Sequence, residues 1–447
     1  MPHGLQRVSH PVVDGPLRAP GILDAMNPLP GTTTAAAVVV PARAALGPLA
    51  AAAALALLLG LQALATDVYL PALPALATDL RAAMPAVQLT MSALIVGFGC
   101  AQLVWGPVAD RFGRRPVLLA GLALFTVAAV GALLARDIAQ VVAWRAVQGT
   151  GIAATVVCAR AMVRDLYEPH EGAHVMSRAL TGLGLIAIAA PIVGGVLSSL
   201  AGWRATMAAL ALAGACLLVF VIWRLPETIR TKNPAATRIA PFAAQIGRTL
   251  AHRGFRAWAA LVCCTYGGLM VFLAGSSFVL IDGLGLDAWQ CGLAMGSNSL
   301  AYVAGTVICR RLLPRYGLAG AVVRAAGFTA VSAVLMLVVA ATGHVAVWTL
   351  LVPQWIYAVG HGVHQPCGQA GAVWPFPRAA GVASALAGFA LAGVGMAVSL
   401  WLGWHLVGTA PRPYFIAVAC FAIATCTVAW TWVRKHGEPP RAVSEVA

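Results

Sequence analysis

The sequence predicts an all-α polytopic membrane protein of twelve transmembrane helices in two pseudo-symmetric six-helix bundles. Three observations carry this: the length of the apolar runs, their number, and where the few charges fall. Of 447 residues, 60% are hydrophobic and only 10% are Asp, Glu, Lys or Arg, with a mean hydropathy of +0.85. No soluble domain needs that much apolar surface. About a dozen runs reach the roughly 20 residues that cross a bilayer as a helix. Helices satisfy their own backbone groups in lipid, and these runs are too long and too uniformly apolar for barrel strands.

The expected spans are 46–66, 88–108, 116–135, 139–160, 175–199, 205–224, 256–281, 290–311, 320–341, 345–366, 379–403 and 412–433. Residues 1–45, rich in Pro, Ala, Gly and Thr, read as a disordered cytoplasmic tail. The first long apolar run is long enough to span, which argues against a cleaved signal peptide. Residues 46–224 form the first bundle, 225–255 a linker loop punctuated by Pro226, Pro234 and Pro241, 256–433 the second bundle, and 434–447 a second cytoplasmic tail. Such a layout suits two related bundles with a substrate path between them. A weak internal repeat supports it: Gly106 through Arg115 follows span 2, and Gly305 through Gly317 follows span 8, with Cys309 where the acid of the first copy stands.

The net charge of +15 would suggest nucleic acid as a partner for a soluble protein, but here it reports topology. Arg81, Arg136, Arg204 and Arg412 fall in one set of alternate loops and Arg145 well within a span, while the remaining Lys and Arg lie in the tails, in the other loops, or close to the span ends that adjoin those loops. The positive-inside bias then places both termini and the 225–255 loop in the cytoplasm. Basic residues near the surface also attract anionic lipid headgroups. The ten Cys are scattered without a CxxC pair or metal-ligand spacing and read as small packing residues.

Four motifs carry chemistry. Gly106-Pro-Val-Ala-Asp110-Arg111-Phe-Gly113-Arg114-Arg115 is expected in a short loop between spans 2 and 3. Gly106 would let two helices approach, Gly113 would make a tight turn, and Asp110 would accept from a helix N-terminus or pair with an Arg, forming a latch that one conformation makes and another breaks. The bland alternative is a basic loop that only sets topology. In span 4, Arg145-Ala-Val-Gln148-Gly149-Thr-Gly151 puts Arg145 and Gln148 on one helix face. An Arg there costs about 2.5–3.5 kcal/mol on insertion scales, so it faces protein or water, or else snorkels to the interface. Asp67-Val-Tyr69-Leu70-Pro71 ends span 1 and places the Asp67 carboxylate at the edge of an apolar run. It is a candidate proton carrier, the alternative being an interfacial cap. In span 5, Ala190-Pro191-Ile-Val-Gly194-Gly195 combines a small-xxx-small pair with a kinking Pro; Ala190, Pro191 and Gly194 share a helix face expected to pack tightly on a neighbour in the other half, the alternative being a packing kink. His361 and His364 with Gln365 and Gln369 lie in span 10 and its exit; two His lacking a third ligand argue against metal and for interfacial packing near the cytoplasmic end, the alternative being a transport or coupling role.

These motifs resemble those of the major facilitator superfamily of secondary transporters. The Asp67-to-Pro74 ending, Arg164-Asp165-Leu-Tyr167, and Ala380-Gly381-Val-Ala383-Ser384 through Gly388 look like its bicyclomycin and chloramphenicol resistance branch (Bcr/CflA) of drug:proton antiporters. The resemblance covers about 48–434. It implies the twelve-helix facilitator fold and proton-driven export of small molecules from a bacterial inner membrane, with the proton gradient as energy source and no bound cofactor. Asp110 and Arg111 would then belong to a cytoplasmic gate, Arg145 to proton or substrate coupling, and Pro191, Gly194 and Gly195 to the antiporter helix.

The expected partners are a small-molecule substrate, protons and lipids, with the chain acting as a monomer. Tyr69, Phe98, Tyr266, Phe272, Phe278 and Trp355 are expected to line a substrate cavity for neutral or weakly charged amphiphiles. Alternatives on the same fold are export of one metabolite, or sensing without transport. No catalytic constellation suggests an enzyme.

Overall fold

The computed structural model describes residues 48–437 except 168, 230–231, 233–238, 377–378 and 406–410. The 1–45 tail and most of the 434–447 tail therefore lie outside the described residues. Helices dominate what is described. They are α1 (Pro48–Asp67), α2 (Met84–Phe112), α3 (Arg114–Leu133) and α4 (Ile138–Leu166), then a long element Pro169–Arg224. Fifty-six residues of helix would run about 84 Å, far beyond a bilayer. The chain leaves helical geometry at Ala201 and at Gly202, whose φ is +74°, and so divides into α5 (169–200) and α6 (203–224). Next come α7 (Arg253–Ser277) and Ala288–Thr342, broken at Gly317 (φ +66°) into α8 (288–316) and α9 (318–342). The series ends with α10 (Val347–Val373), α11 (Ala380–His405) and α12 (Arg412–Val428). Among the described residues, nine of these elements are long and apolar enough to cross a membrane, including the two broken ones. The more polar α10 completes the twelve crossings.

Three boundaries differ from expectation. The helix α2 runs on to Phe112 and α3 starts at Arg114, so the charged stretch is not a loop but two helix ends joined at Gly113. The linker is not all loop, since Ile239–Ala251 is a helix. Its apolar residues recur at Ile239, Phe242, Ile246 and Leu250, and Pro241 sits in the first turn, where a missing N–H costs nothing. The last turns of α7 and α12 widen to π geometry over Phe278–Gly283 and Ala429–Val433.

Packing follows membrane rules, in which small residues rather than water exclusion bring helices together. Gly97 faces the Ala146 carbonyl and Gly149 faces the Leu94 carbonyl, locking α2 to α4. Gly151 meets the Gly121 carbonyl and Phe125, locking α4 to α3. In the last six helices the matching contact is Gly305 on the Val359 carbonyl and Gly362 on the Tyr302 carbonyl, between α8 and α10. The same two helix pairs, 2 with 4 and 8 with 10, are thus joined by the same device.

Candidate transport site

The end of the molecule carrying the 112–114 turn and the 225–255 linker is called the gate end below. At the opposite end the first six helices are fastened to the last six. Gln88 Nε2 on α2 donates to the Ala274 carbonyl on α7 at 2.8 Å, and Ser277 Oγ donates to the Leu70 carbonyl at 2.8 Å. Gly403 on α11 packs on Pro85. Along α5 and α8, Gly195 faces the backbone of Ala288 and Trp289, Gly292 faces the Pro191 carbonyl, and Gly296 faces the Ile188 carbonyl.

This corrects one expectation. Ala190, Pro191 and Gly194 were expected on one face against the other half. Gly194 instead packs on the backbone of Val68 in α1, within the first six helices, and the buried Ala190 belongs to the same core. The residues that meet the other half are Pro191, through its carbonyl, and Gly195. A span of three to four residues covers most of a helical turn, so a four-residue motif serves two neighbours.

Toward the gate end the halves part. Gly99 on α2 packs on Ala392 of α11, and Gln102 packs on Gly388, but a side-chain carbon added at Gly106 or Gly381 would meet nothing within 4 Å. The expected close approach at Gly106 is therefore not made in this conformation. Where α2 and α11 diverge lies a cavity of about 120 Å³. Its wall mixes polar side chains (Gln62 and Thr66 on α1, Gln102 on α2, Arg160 on α4, Tyr266 on α7, Gln365 and Gln369 on α10, and Ser384 on α11) with a larger apolar share that includes Phe98 and Leu391.

Of the six side chains expected to line a cavity, Phe98 and Tyr266 do so. Tyr69, Phe272 and Phe278 are buried in the core, and Trp355 is turned to Ser297, whose Oγ accepts from its Nε1 at 2.9 Å. Apolar aromatic surface was the wrong cue, because in lipid such residues pack against other helices while the polar ones must face water or each other. Gln62, Gln102 and Arg160 went unmarked for that reason, and Gln365 and Gln369 were noted only beside the histidines; their signal was polar residues recurring within otherwise apolar spans.

Arg145 is wholly buried, which excludes snorkelling. Its Nη1 donates to the Ala65 carbonyl at 3.0 Å and to Gln148 Oε1 at 2.7 Å, and its Nη2 lies 3.6 Å from Met91 Sδ. The guanidinium sits over the Tyr69 ring, 4.3 Å from the centroid, a cation–π contact strengthened by exclusion of water. Tyr69 is itself held by Thr90, whose Oγ1 accepts from its hydroxyl at 2.9 Å. Asp67 ends α1, two residues beyond Ala65. No ion pair joins Asp67 to Arg145, since among the described residues the ion pairs within 4 Å are Asp110–Arg114, Asp165–Arg114 and Asp79–Arg204. Asp67 Oδ1 accepts from the Thr66 hydroxyl at 2.8 Å, and Thr66 is part of the cavity wall. The carboxylate thus stands one hydroxyl away from the cavity.

At the gate end, Gly113 adopts φ +115°, a conformation that favours glycine. Arg114 is 4% exposed and pairs with Asp110 at 2.6 Å and with Asp165, through Nε, at 3.0 Å. The helix N-terminus is satisfied not by Asp110 but by Glu227, whose carboxylate accepts from the backbone N–H of Arg114 (2.9 Å) and Arg115 (3.2 Å). That is the favourable placement of an anion at the start of α3. Arg115 Nη2 donates to the Ile222 carbonyl at 2.8 Å, and Arg111 lies over the Phe112 ring. Asp165 and Glu227 were missed as gate residues; the cue was that each follows directly on the gate end of a span.

His361 and His364 are buried within the last six helices rather than placed near an interface. His361 Nδ1 is 2.9 Å from Thr265 Oγ1 and its ring stacks on Tyr357; His364 Nε2 is 3.3 Å from the Val322 carbonyl.

A helical membrane protein that encloses an amphipathic cavity between two halves, fastened at one end and parted at the other, is built as a transporter rather than an enzyme. The family model for the Major Facilitator Superfamily matches residues 55–400, and the chain belongs to that superfamily. It is 30% identical over 334 residues to multidrug resistance protein D of Escherichia coli (strain K12), covering 75% of this chain and 83% of that one. It is 27% identical over 381 residues to a chloramphenicol resistance protein of Pseudomonas aeruginosa, covering 84% and 88%. It is 26% identical over 358 residues to a bicyclomycin resistance protein homolog of Haemophilus influenzae, covering 80% and 90%. These relatives match the Bcr/CflA branch that the motifs resemble. Among solved structures, a D-xylose-proton symporter superimposes with a TM-score of 0.65 at 17% identity, over 85% of this chain and 97% of that one, a likeness of fold.

Proposed function

We propose that this chain is a proton-coupled exporter of small drug-like molecules, working by alternating access in a bacterial inner membrane with both termini in the cytoplasm. The observation that carries the reading is the amphipathic cavity between halves that are fastened at one end and diverge between Gln102 and Gly106 at the other. With the basic linker in the cytoplasm, the cavity faces inward, ready to load. Asp67 is the proton carrier, reaching the cavity through Thr66. The buried Arg145 holds the end of α1 in place through Ala65 and biases the site with its charge. The chain works as a monomer, with anionic lipid headgroups against its basic cytoplasmic surface. The names of its relatives support chloramphenicol- and bicyclomycin-like molecules as first substrates to try.

The test is proton movement driven by chloramphenicol in proteoliposomes. Asp67→Asn keeps the side-chain shape but cannot titrate, and is expected to abolish that movement while leaving protein yield intact. Unchanged movement would remove Asp67 from the mechanism. A second reading, export of one metabolite, is favoured by the small volume of about 120 Å³, and a drug-susceptibility panel in an efflux-deficient host separates the two.

A further inference from the structure

Arg160 places a positive charge in the wall of the cavity that nothing in the wall neutralises. It lies fifteen residues beyond Arg145 on α4, is exposed to the cavity, and belongs to no motif used above. The cavity wall contains no Asp or Glu. Among the described residues no carboxylate comes within 4 Å of the guanidinium. Its contact across the cavity is Ser384 Oγ at 3.4 Å, a long bond to a neutral group. The contrast with Arg114 is sharp, because that side chain is enclosed by two carboxylates. A charged residue inside a membrane protein is costly unless it meets a counter-charge or water. A fork of five donors facing an otherwise neutral cavity matches a carboxylate, which it can hold with two parallel bonds.

The rest of the wall narrows the class further. Gln365 lines the cavity and its Oε1 has no hydrogen-bond partner, so a turn of the amide offers an acceptor to a substrate N–H or O–H. The small volume calls for a compact molecule.

We infer that the cavity selects compact organic acids, with Arg160 holding the carboxylate and the Gln365 amide meeting a hydroxyl or amine of the same molecule. This deepens the exporter reading and rests on it, naming a substrate class where that reading names only small drug-like molecules.

The test is equilibrium binding to the purified full chain in nanodiscs, without a proton gradient, using 4-hydroxybenzoate and 4-hydroxybenzamide. The two share shape and hydroxyl and differ in charge. Wild type is expected to bind the acid at least about tenfold more tightly, the order of one charge-assisted contact. Arg160→Gln is expected to erase that preference and Arg160→Lys to keep part of it, since the charge remains but the fork is lost. Equal binding of the pair by wild type, binding of neither at millimolar concentrations, or a preference that survives Arg160→Gln each overturns the inference. The wild-type comparison decides the matter even if Arg160→Gln fails to fold. Failure of the exporter reading shows separately, as absent proton movement with 4-hydroxybenzoate as well as with chloramphenicol in a protein that still prefers the acid.

Discussion

The α2–α3 turn and the α8–α9 turn occupy corresponding places in the two halves, and they share a backbone device but not a chemistry. Each pivots on a glycine of positive φ, +115° at Gly113 and +66° at Gly317. In the first, Arg114 is buried between Asp110 and Asp165, and Glu227 caps the helix that follows. In the second, the acid's place is taken by Cys309, buried with its Sγ 3.5 Å from Cys367 Sγ, while Arg310, Arg311 and Arg315 lie exposed. The pseudo-repeat therefore preserves the turn while the ionic network is built on one side only. Among the described residues the ion pairs lie within the first six helices, and the second turn is expected to act as a passive hinge.

The strongest way to break this comparison is to remove the buried cation. Arg114→Ala leaves Asp110 and Asp165 facing each other without their partner. Breaking a buried pair typically costs about 3–5 kcal/mol. Asp110 is 44% exposed, so water offsets part of the loss and a cost of about 2–4 kcal/mol is expected. Arg310→Ala in the second half touches an exposed side chain and should stay within about 0.5 kcal/mol. Thermal unfolding of both variants in the same detergent is the measurement. Equal losses would mean that the two turns are energetically alike.

The next prediction carries the comparison to α5, where adjacent glycines face different halves. Gly195→Leu drives a side chain into the backbone of Ala288 and Trp289 on α8. Overpacking costs about 1–3 kcal/mol, and here it falls on the conformation in which α5 and α8 touch. The population should move about 5- to 150-fold toward the state in which they separate, seen as altered distances between spin labels on α5 and α8. Gly194→Leu meets Val68 on α1 instead, so it should lower stability without shifting the distances. If both variants shift them equally, the division of labour between the two glycines is wrong.

How far the sequence reached can be read from these same residues. Twelve apolar runs and the charged turn at Gly113 were legible because lipid enforces helix length and excludes charge. Arg145 with Gln148 was legible as a buried pair because a mid-span charge has few places to go. Partner identity was not legible. Nothing in the spacing of Gly194 and Gly195 tells which helix each meets, since that depends on how α5 is rotated against two neighbours at once. Nor does local pattern reveal that Glu227, over a hundred residues away, caps the turn at Arg114. The cavity was misread for a related reason: aromatic side chains are apolar enough to be absorbed by helix packing, and the glutamines and Arg160 were left to form the wall.

A smaller effect is expected from Asp110→Asn. The amide still accepts from Arg114 but loses its charge, and Asp165 continues to hold the guanidinium. A half-exposed pair contributes about 1 kcal/mol, equivalent to roughly a fivefold shift between conformations. Substrate binding should change little while the transport rate falls, and labelled-helix distances should move toward whichever state lacks the contact. Identical distance distributions in variant and wild type would leave Asp110 without a latching role and transfer it to Asp165.

The smallest effect tests the passive turn itself. Cys309→Ala removes one buried thiol from the core formed by α8 and α10. Its neighbours are apolar, and its polar contact is the weak one to Cys367 Sγ. A thiol packs as a small hydrophobe, so the loss is about that of one buried methylene-sized group, ~1 kcal/mol. No carboxylate or helix N-terminus depends on it, and the distance distributions between the two halves should be unchanged. Cys309→Asp restores the acid of the first copy at a position that is 3% exposed, and the adjacent Arg310, whose charge reaches this site, is itself exposed to solvent. A buried, unpaired carboxylate is strongly unfavourable, so this variant should be much less stable than Cys309→Ala. Were the aspartate tolerated as well as the alanine, with the inward and outward populations shifted, the second turn would possess a latent cation site. The asymmetry between the halves would then be one residue deep.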